Sequence, residues 1–324
     1  MTKLKKLMTK IKDLFIVKVA NNSDIFKIDT LYDDNFKEIE GILLDAGLKL
    51  ENIDNIQHLG GMTNKNFLLL VNNKKYVLRV SGIGTQGMIN RENEKKNSKK
   101  IAHLHIDSKL IYYDKNTGNK ISEYIENGKT LNSQMAKENL EKVSDLLRRL
   151  HNSDVEFDNK FDVFEEIKKY ESLANKEGAN FYPSYEIVKS KTKKLREKLL
   201  ELNPRLVSCH NDTVPENFIL KDDNLFLIDW EYSGMNDPMW DLAAYSLENS
   251  LSKEEEKVFL EKYFHNVIPK NEYLKVQIFK ILQDFLWSIW TLVKEKKGIK
   301  FGDYGIRRFE RCKDMLEEIN ENWD

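Results

Sequence analysis

The chain has 324 residues, 40% of them hydrophobic and 32% charged, with a net charge of -1. That length supports a sizeable core in one large or two-lobed domain, and the even charge balance gives no reason to expect nucleic acid as a partner. No apolar run is long enough to span a bilayer, and two well-separated cysteines, Cys209 and Cys312, fit a reducing, cytoplasmic setting rather than a disulfide framework.

The stretch from Met1 to Phe15 sets Leu4, Leu7, Met8, Ile11 and Leu14 at helical spacing among lysines. Its apolar run is interrupted, which excludes a secretory signal. An N-terminal extension is expected over 1–33, with its amphipathic helix packed on its own domain or on a partner chain. Contact with an anionic membrane surface is the alternative. Phe36, Ile39, Ile42 and Leu43 predict a helix over 34–46, closed by Gly47.

Strands are predicted at Ile53–Leu59, Phe67–Val71 and Tyr76–Val80, with a glycine loop at Gly60-Gly-Met-Thr-Asn64 and a turn at 72–75. Glycines let backbone amides approach phosphate oxygens closely, and Thr63 and Asn64 add donors. Gly60-Gly61 alone would equally serve a hairpin. Arg79 puts a cation inside an apolar strand, where it needs a partner. Glu94, on a helix predicted over 86–102, is the candidate, since a strand cation tied to a helix carboxylate is how kinases meet the α and β phosphates. The alternative is an edge strand with Arg79 reaching water. Two further strands, Leu110–Tyr113 and Lys120–Ile125, complete a five-stranded antiparallel sheet. The ATP-binding lobe is expected over 34–127, with adenine meeting backbone between Glu123 and Ile125.

From 128 to 324 the pattern is helical. Helices are expected over 135–151, 161–174 and 185–202, and His151 reads as a helix cap. A strand then ends at Cys209, and the chain enters Ser208-Cys-His-Asn-Asp-Thr-Val-Pro-Glu-Asn217. Pro215 stiffens this loop. Phe218–Leu220, a turn at 221–224 and Leu227-Ile-Asp-Trp-Glu231 form a hairpin that brings Asn217 and Asp229 to one end. An Asp for the attacking hydroxyl, then Asn and a second Asp for Mg²⁺, are the parts a phosphotransferase needs, so Asp212, Asn217 and Asp229 are the candidate catalytic set. Cys209 and His210 point to opposite faces of the strand, which argues against a Cys nucleophile.

The acceptor side is read from Glu231, Tyr232 and the segment 230–243, where Pro238 starts a helix and Trp240 and Asp241 fall in its first turn. A carboxylate at Glu231, so near an anionic site, calls for a cation, which the substrate could supply. Trp287 and Trp290 lie three apart on a long helix, hence on one face, and Tyr304 follows. Aromatic faces with carboxylates suit a quaternary ammonium. A tryptophan stripe on a helix is also what a plain core looks like.

These motifs, in this order, resemble the choline/ethanolamine kinase family: Gly60-Gly-Met-Thr-Asn-Lys-Asn-Phe67, Val77-Leu-Arg79, Arg91-x-x-Glu94, Ile121-Ser-Glu-Tyr124, Cys209-His-Asn-Asp212, Asn217, Ile228-Asp-Trp-Glu-Tyr232, Phe285-Leu-Trp-Ser-Ile-Trp290 and Phe301-Gly-x-Tyr304. The pattern is most similar to the family's bacterial LicA-type branch and runs from about Ile53 to Phe309. The resemblance implies an α+β, protein-kinase-like fold, as in aminoglycoside phosphotransferases, with ATP and Mg²⁺ as cofactors and choline as substrate. By the same resemblance, Asp212 deprotonates the choline hydroxyl, Asn217 and Asp229 bind Mg²⁺, and Arg79 with Glu94 meets the phosphates. Glu231, Tyr232, Trp287, Trp290 and Tyr304 surround the trimethylammonium group, with Trp240 grouped among them.

Ethanolamine, thiamine or an aminoglycoside are the competing acceptors, and a catalytically silent choline- or nucleotide-binding protein is the competing class. A protein kinase is disfavoured, because Asp229 runs into Pro238 and a helix with no activation segment between. A monomer and a homodimer are equally compatible with the sequence.

Overall fold

The computed structural model describes residues 38–60, 64–82, 85 and 87–321. The expected helix at 1–15 and the loop residues Gly61 and Thr63 lie outside the described residues. The chain divides into two compact units, one of 1–85 and 108–126, the other of 86–107 and 127–324.

The first unit holds helix α1 (38–45) and the strands β1 (Ile53–Gly60), β2 (Lys65–Val71), β3 (Lys74–Val80), β4 (Leu110–Tyr113) and β5 (Lys120–Glu123). All pairings are antiparallel, in the order β1-β2-β3-β5-β4. Asn72 and Asn73 take φ values of 49° and 61°, so the β2–β3 turn has the twist that matches a two-residue hairpin. The core of this unit is Ile39, Ile42 and Leu43 of α1 against Leu69, Leu78 and Ile121 of the sheet. Each such fully buried side chain contributes about 1.5–3 kcal/mol.

The second unit holds α2 (Arg91–Lys100), β6 (Lys129–Thr130), α3 (Ser133–Glu138), α4 (Leu140–His151), α5 (Val163–Lys176), α6 (Tyr185–Glu201), β7 (Val207–Cys209), β8 (Phe218–Lys221), β9 (Asn224–Leu227), β10 (Gly234–Asn236), α7 (Met239–Glu248), α8 (Lys253–Tyr263), α9 (Lys270–Lys296) and α10 (Tyr304–Glu321). Strands β6, β8 and β9 form one small sheet, and β7 pairs with β10. Helix α9 runs through the middle: Ile278, Phe285, Leu286 and Ile289 have no exposed surface, and the helix packs on α5, α7 and α10.

Two boundaries differ from the sequence pattern for local reasons, and one helix is grouped differently. Helix α2 starts at Arg91 rather than 86, because the Asn90 side chain accepts from the amides of Glu92 and Asn93. The helix read over 135–151 is broken at Asn139, whose amide folds back onto the Met135 carbonyl. Helix α2 was expected with the sheet, and instead groups with the second unit. Asn97 Nδ2 reaches Asn159 Oδ1 at 2.9 Å and Ser233 Oγ at 3.0 Å there.

Candidate active site

The loop between β7 and β8 is built around Asp241, in the first turn of α7. Its buried carboxylate accepts from the amides of His210 (2.9 Å) and Asn211 (2.7 Å), and from His151 Nε2 at 3.0 Å. The Thr213 hydroxyl donates to its backbone carbonyl at 2.7 Å. Asn211 takes a φ of 68°, a conformation that Asn tolerates, and is held by Trp240 Nε1 on its carbonyl and Asn236 Nδ2 on its side-chain oxygen. These bonds replace the water a polar loop would otherwise need.

His210 ties this loop to the metal-side hairpin. Its Nε2–H donates to the Ile228 carbonyl at 2.9 Å, which leaves Nδ1 to accept from the Asp212 amide at 3.3 Å. Burial lowers the imidazole pKa, in keeping with the neutral form this pattern requires. His151 is likewise a buried brace rather than a helix cap, set between Asp241 and the Tyr263 hydroxyl. Ligand atoms of His151, Cys209 and Asp241 lie within 4.8 Å of one another, a spacing a metal could use. The His151 and Asp241 groups are already spent on protein hydrogen bonds, and burial pushes the Cys209 thiol up, away from the thiolate a metal takes.

The hairpin fixes the remaining pair. Phe218 faces Leu227, and the Ile228 amide donates to the Asn217 carbonyl at 2.8 Å, so Asn217 and Asp229 stand at the same end. Asn217 Nδ2 donates to the Asp212 carbonyl (2.8 Å) and carboxylate (3.1 Å), which turns its Oδ1 away as an acceptor. Asp229 sits at φ 67°, partly exposed. An amide oxygen and a carboxylate side by side are hard oxygen donors, and they fit Mg²⁺. Burial, followed by the charges of Asp229, Glu248 and Glu231, pushes the Asp212 carboxyl well above the usual carboxylate range.

The same unit carries an aromatic wall; burial raises the phenols of Tyr232 and Tyr304, and the charge of Asp212 adds to it. Tyr232 meets Trp287 edge-on at 5.2 Å, Trp287 meets Trp290 at 6.2 Å, and Phe301 bridges Trp290 (5.1 Å) to Tyr304 (6.2 Å). Trp290 Nε1 donates to the Tyr232 hydroxyl at 3.2 Å and fixes the angle between the rings. Trp287 and Trp290 are buried, each with 8% of its surface exposed. Arg308 stacks on Tyr304 at 4.6 Å and is itself held by Glu248 and by Asp284 at 3.0 Å.

The model of the family described as choline/ethanolamine kinase matches residues 56–313. The chain belongs to the choline/ethanolamine kinase family. Protein LicA of Haemophilus influenzae is 38% identical over 81% of this chain and 79% of its own length. The crystal structure of choline kinase LicA from Streptococcus pneumoniae superposes with a TM-score of 0.79 at 40% identity, covering 88% of this chain and 99% of that one. A structure of LicA in complex with AMP gives 0.77 at 41% identity, covering 87% and 98%. The fold is α+β and protein-kinase-like, and the chain is a small-molecule kinase.

On this choline/ethanolamine kinase chain, two acceptor-side expectations change. Trp240 has no exposed surface; it packs on Phe161 and Phe279 and holds Asn211. A ring with no open face has nothing to offer an acceptor, so Trp240 is a brace for the loop. Glu231 meets its cation within the protein: Arg91 Nη1 lies 2.9 Å from Glu231 and 2.9 Å from Glu94. In the first unit, Arg79 is buried, with Nη2 on the Gly118 carbonyl at 2.9 Å, rather than reaching water. Asn64 accepts from the Gly82 amide at 3.1 Å, Gly60 sits at φ 95°, and Ile125 lies past the end of β5. Sequence reasoning missed Tyr170, whose buried phenol is raised by burial and then by Glu166 and Glu231, and it missed Arg308. A lone tyrosine on an amphipathic helix carries no signal. Arg308 falls four residues after Tyr304, and that spacing was available.

Proposed function

We propose that the chain transfers the γ-phosphoryl group of ATP to the hydroxyl of choline, giving phosphocholine. The observation that carries this reading is the aromatic wall of Tyr232, Trp287, Trp290 and Tyr304, in the same unit as Asp212. A trimethylammonium group makes no hydrogen bonds and is held by cation–π attraction. A primary ammonium, as on ethanolamine, wants carboxylates, and Glu231 is already tied to Arg91.

Asp212 accepts the hydroxyl hydrogen bond of the acceptor and takes its proton. Asn217 occupies one carboxylate oxygen at 3.1 Å and leaves the other to aim at the substrate. Burial raises the proton affinity of Asp212, the direction that helps it take the acceptor's proton. Asn217 and Asp229 would hold Mg²⁺, which when bound supplies charge neutralisation to the triphosphate. Within the first unit, Gly60, Gly61, Thr63, Asn64 and Arg79 would take the phosphates, and backbone from Glu123 to Ile125 the adenine. Because the transition state is loose, positioning supplies most of the rate.

No helix among the described residues is long and apolar enough to cross a membrane. We place the activity in the cytoplasm, since ATP is the donor and both cysteines are free thiols. The test is ADP release with Mg·ATP and a panel of choline, ethanolamine, thiamine and an aminoglycoside. Choline is expected to give the highest kcat/KM; a preference for ethanolamine overturns the cage argument, and no turnover with any acceptor favours a silent binding protein.

A further inference from the structure

Lys294 puts a cation where none of the roles above needs one. It lies near the end of α9, four residues after Trp290, and is 1% exposed. Its ammonium stands over the Trp290 ring, 5.3 Å from the centroid. Among the described residues no carboxylate comes within ion-pair distance of it. The other buried lysine of the same helix is held differently: Lys275 lies 2.7 Å from Asp237 and 3.0 Å from Glu272. Burial pulls the Lys294 ammonium down to about 8, against the attraction of Glu231 and with the repulsion of Lys297 and Arg91. These three are the charged groups that bear on it. The phenols on the neighbouring elements, Tyr170, Tyr182, Tyr232 and Tyr304, are held protonated by burial.

Trp290 is also the ring assigned to the acceptor's ammonium. Two cations on one indole repel each other, and each weakens the other's cation–π attraction. We propose that Lys294 is a specificity-determining residue: its ammonium competes with the acceptor's ammonium for Trp290 and sets how tightly the acceptor is held. This rests on the reading of Tyr232, Trp287, Trp290 and Tyr304 as the acceptor cage. Loss of the lysine charge, by substitution or by deprotonation, therefore tightens choline binding without touching phosphoryl transfer.

The experiment is steady-state kinetics with choline at saturating Mg·ATP, from pH 6.5 to 9.5, on wild type, Lys294→Met and Lys294→Arg. At pH 7 the Met variant is expected to lower KM for choline by about five- to tenfold, the effect of removing a like charge a few ångströms away in a partly solvated site. Its kcat and its KM for ATP should stay within about twofold. In wild type, KM for choline falls as pH rises through about 8. The Met variant stays low and flat, and the Arg variant stays high and flat, because a guanidinium keeps its charge. Asp212 is the same in all three proteins, so the difference between them isolates Lys294. An unchanged KM in the Met variant, or the same pH slope in all three, makes Lys294 a packing residue and overturns the proposal. If the Met variant melts early, the vanished slope of the Arg variant decides. A wild type that turns over ATP with another acceptor but not with choline fails the cage reading itself, and this inference with it.

Discussion

Asp212 is costly to keep. It is a partly buried carboxylate that feels the charges of Asp229, Glu248 and Glu231, all of its own sign. A protein free to optimise stability would not choose this arrangement, and the cost is tolerable only where the charge has work to do. Asp212→Asn keeps the shape and removes the charge. In metal- and nucleotide-free buffer at pH 7 it is expected to be more stable than wild type by about 1–2 kcal/mol, while turnover falls by about 10²–10⁴-fold. The pH dependence has a definite sign. The folded-state pKa of Asp212 lies above its unfolded value, so between the two the native state holds the extra proton, and wild-type stability declines as pH rises. The gap between variant and wild type should therefore open from about pH 4 upward and close below it. Thermal melts across that range read it directly. A variant no more stable than wild type at any pH would mean the charge is already compensated, and the account of Asp212 fails.

Helix α7 does for the catalytic loop what a metal does in a small domain: one group, Asp241, gathers several donors and fixes them. In Asp241→Asn an amide NH₂ would face the amide donors of His210 and Asn211, leaving at least one buried N–H without an acceptor. The loss should be about 2–4 kcal/mol in urea unfolding, with a fall in kcat as Asp212 loses its bearing. An unchanged unfolding midpoint would show that Trp240 and Asn236 hold the loop by themselves. At the junction of α9 and α10, a methyl group at Gly305 would press on the Tyr182 hydroxyl and lie 2.9 Å from Thr291 Cγ2. Gly305→Ala should therefore shift the start of α10, which carries Tyr304, and raise KM for choline more than KM for ATP. Equal changes in the two constants would count against Tyr304 as part of the wall. The strand–loop–hairpin from Val207 to Leu227 was legible in the sequence because each of its signals is local: an apolar run ending at Cys209, Pro215, the turn at Asp222. The contacts that group helix α2 with the second unit were not legible, because Asn159 and Ser233 lie 62 and 136 residues away. Trp240 was misread for a related reason. Sequence shows that an indole is present beside Asp241, and only packing shows that both its faces are covered.

Taken as a whole, the molecule keeps the proposed acceptor machinery in one piece. Asp212 and Asn217 come from the loop after β7, Tyr232 from the segment after β9, Trp287 and Trp290 from α9, and Tyr304 from α10; every one belongs to the second unit. The rings brace one another through edge contacts and the bond from Trp290 to Tyr232, so the cage is formed before any ligand arrives. Preformed sites lose little ordering entropy on binding. Choline should accordingly bind with no nucleotide present, at a Kd within about tenfold of its KM, a modest coupling by the standards of linked sites. Tryptophan fluorescence reports it from inside: of the five tryptophans, Trp230 and Trp240 are fully buried, so a choline-dependent change should come chiefly from Trp287 and Trp290. In Trp290→Phe the signal should shrink and the Kd rise, since phenylalanine offers a weaker cation–π face. Titration calorimetry without ATP gives the same answer independently of the optics. If choline produces neither heat nor fluorescence change until Mg·ATP is added, the cage is not complete within the second unit, and the wall of rings described here is only part of the acceptor site.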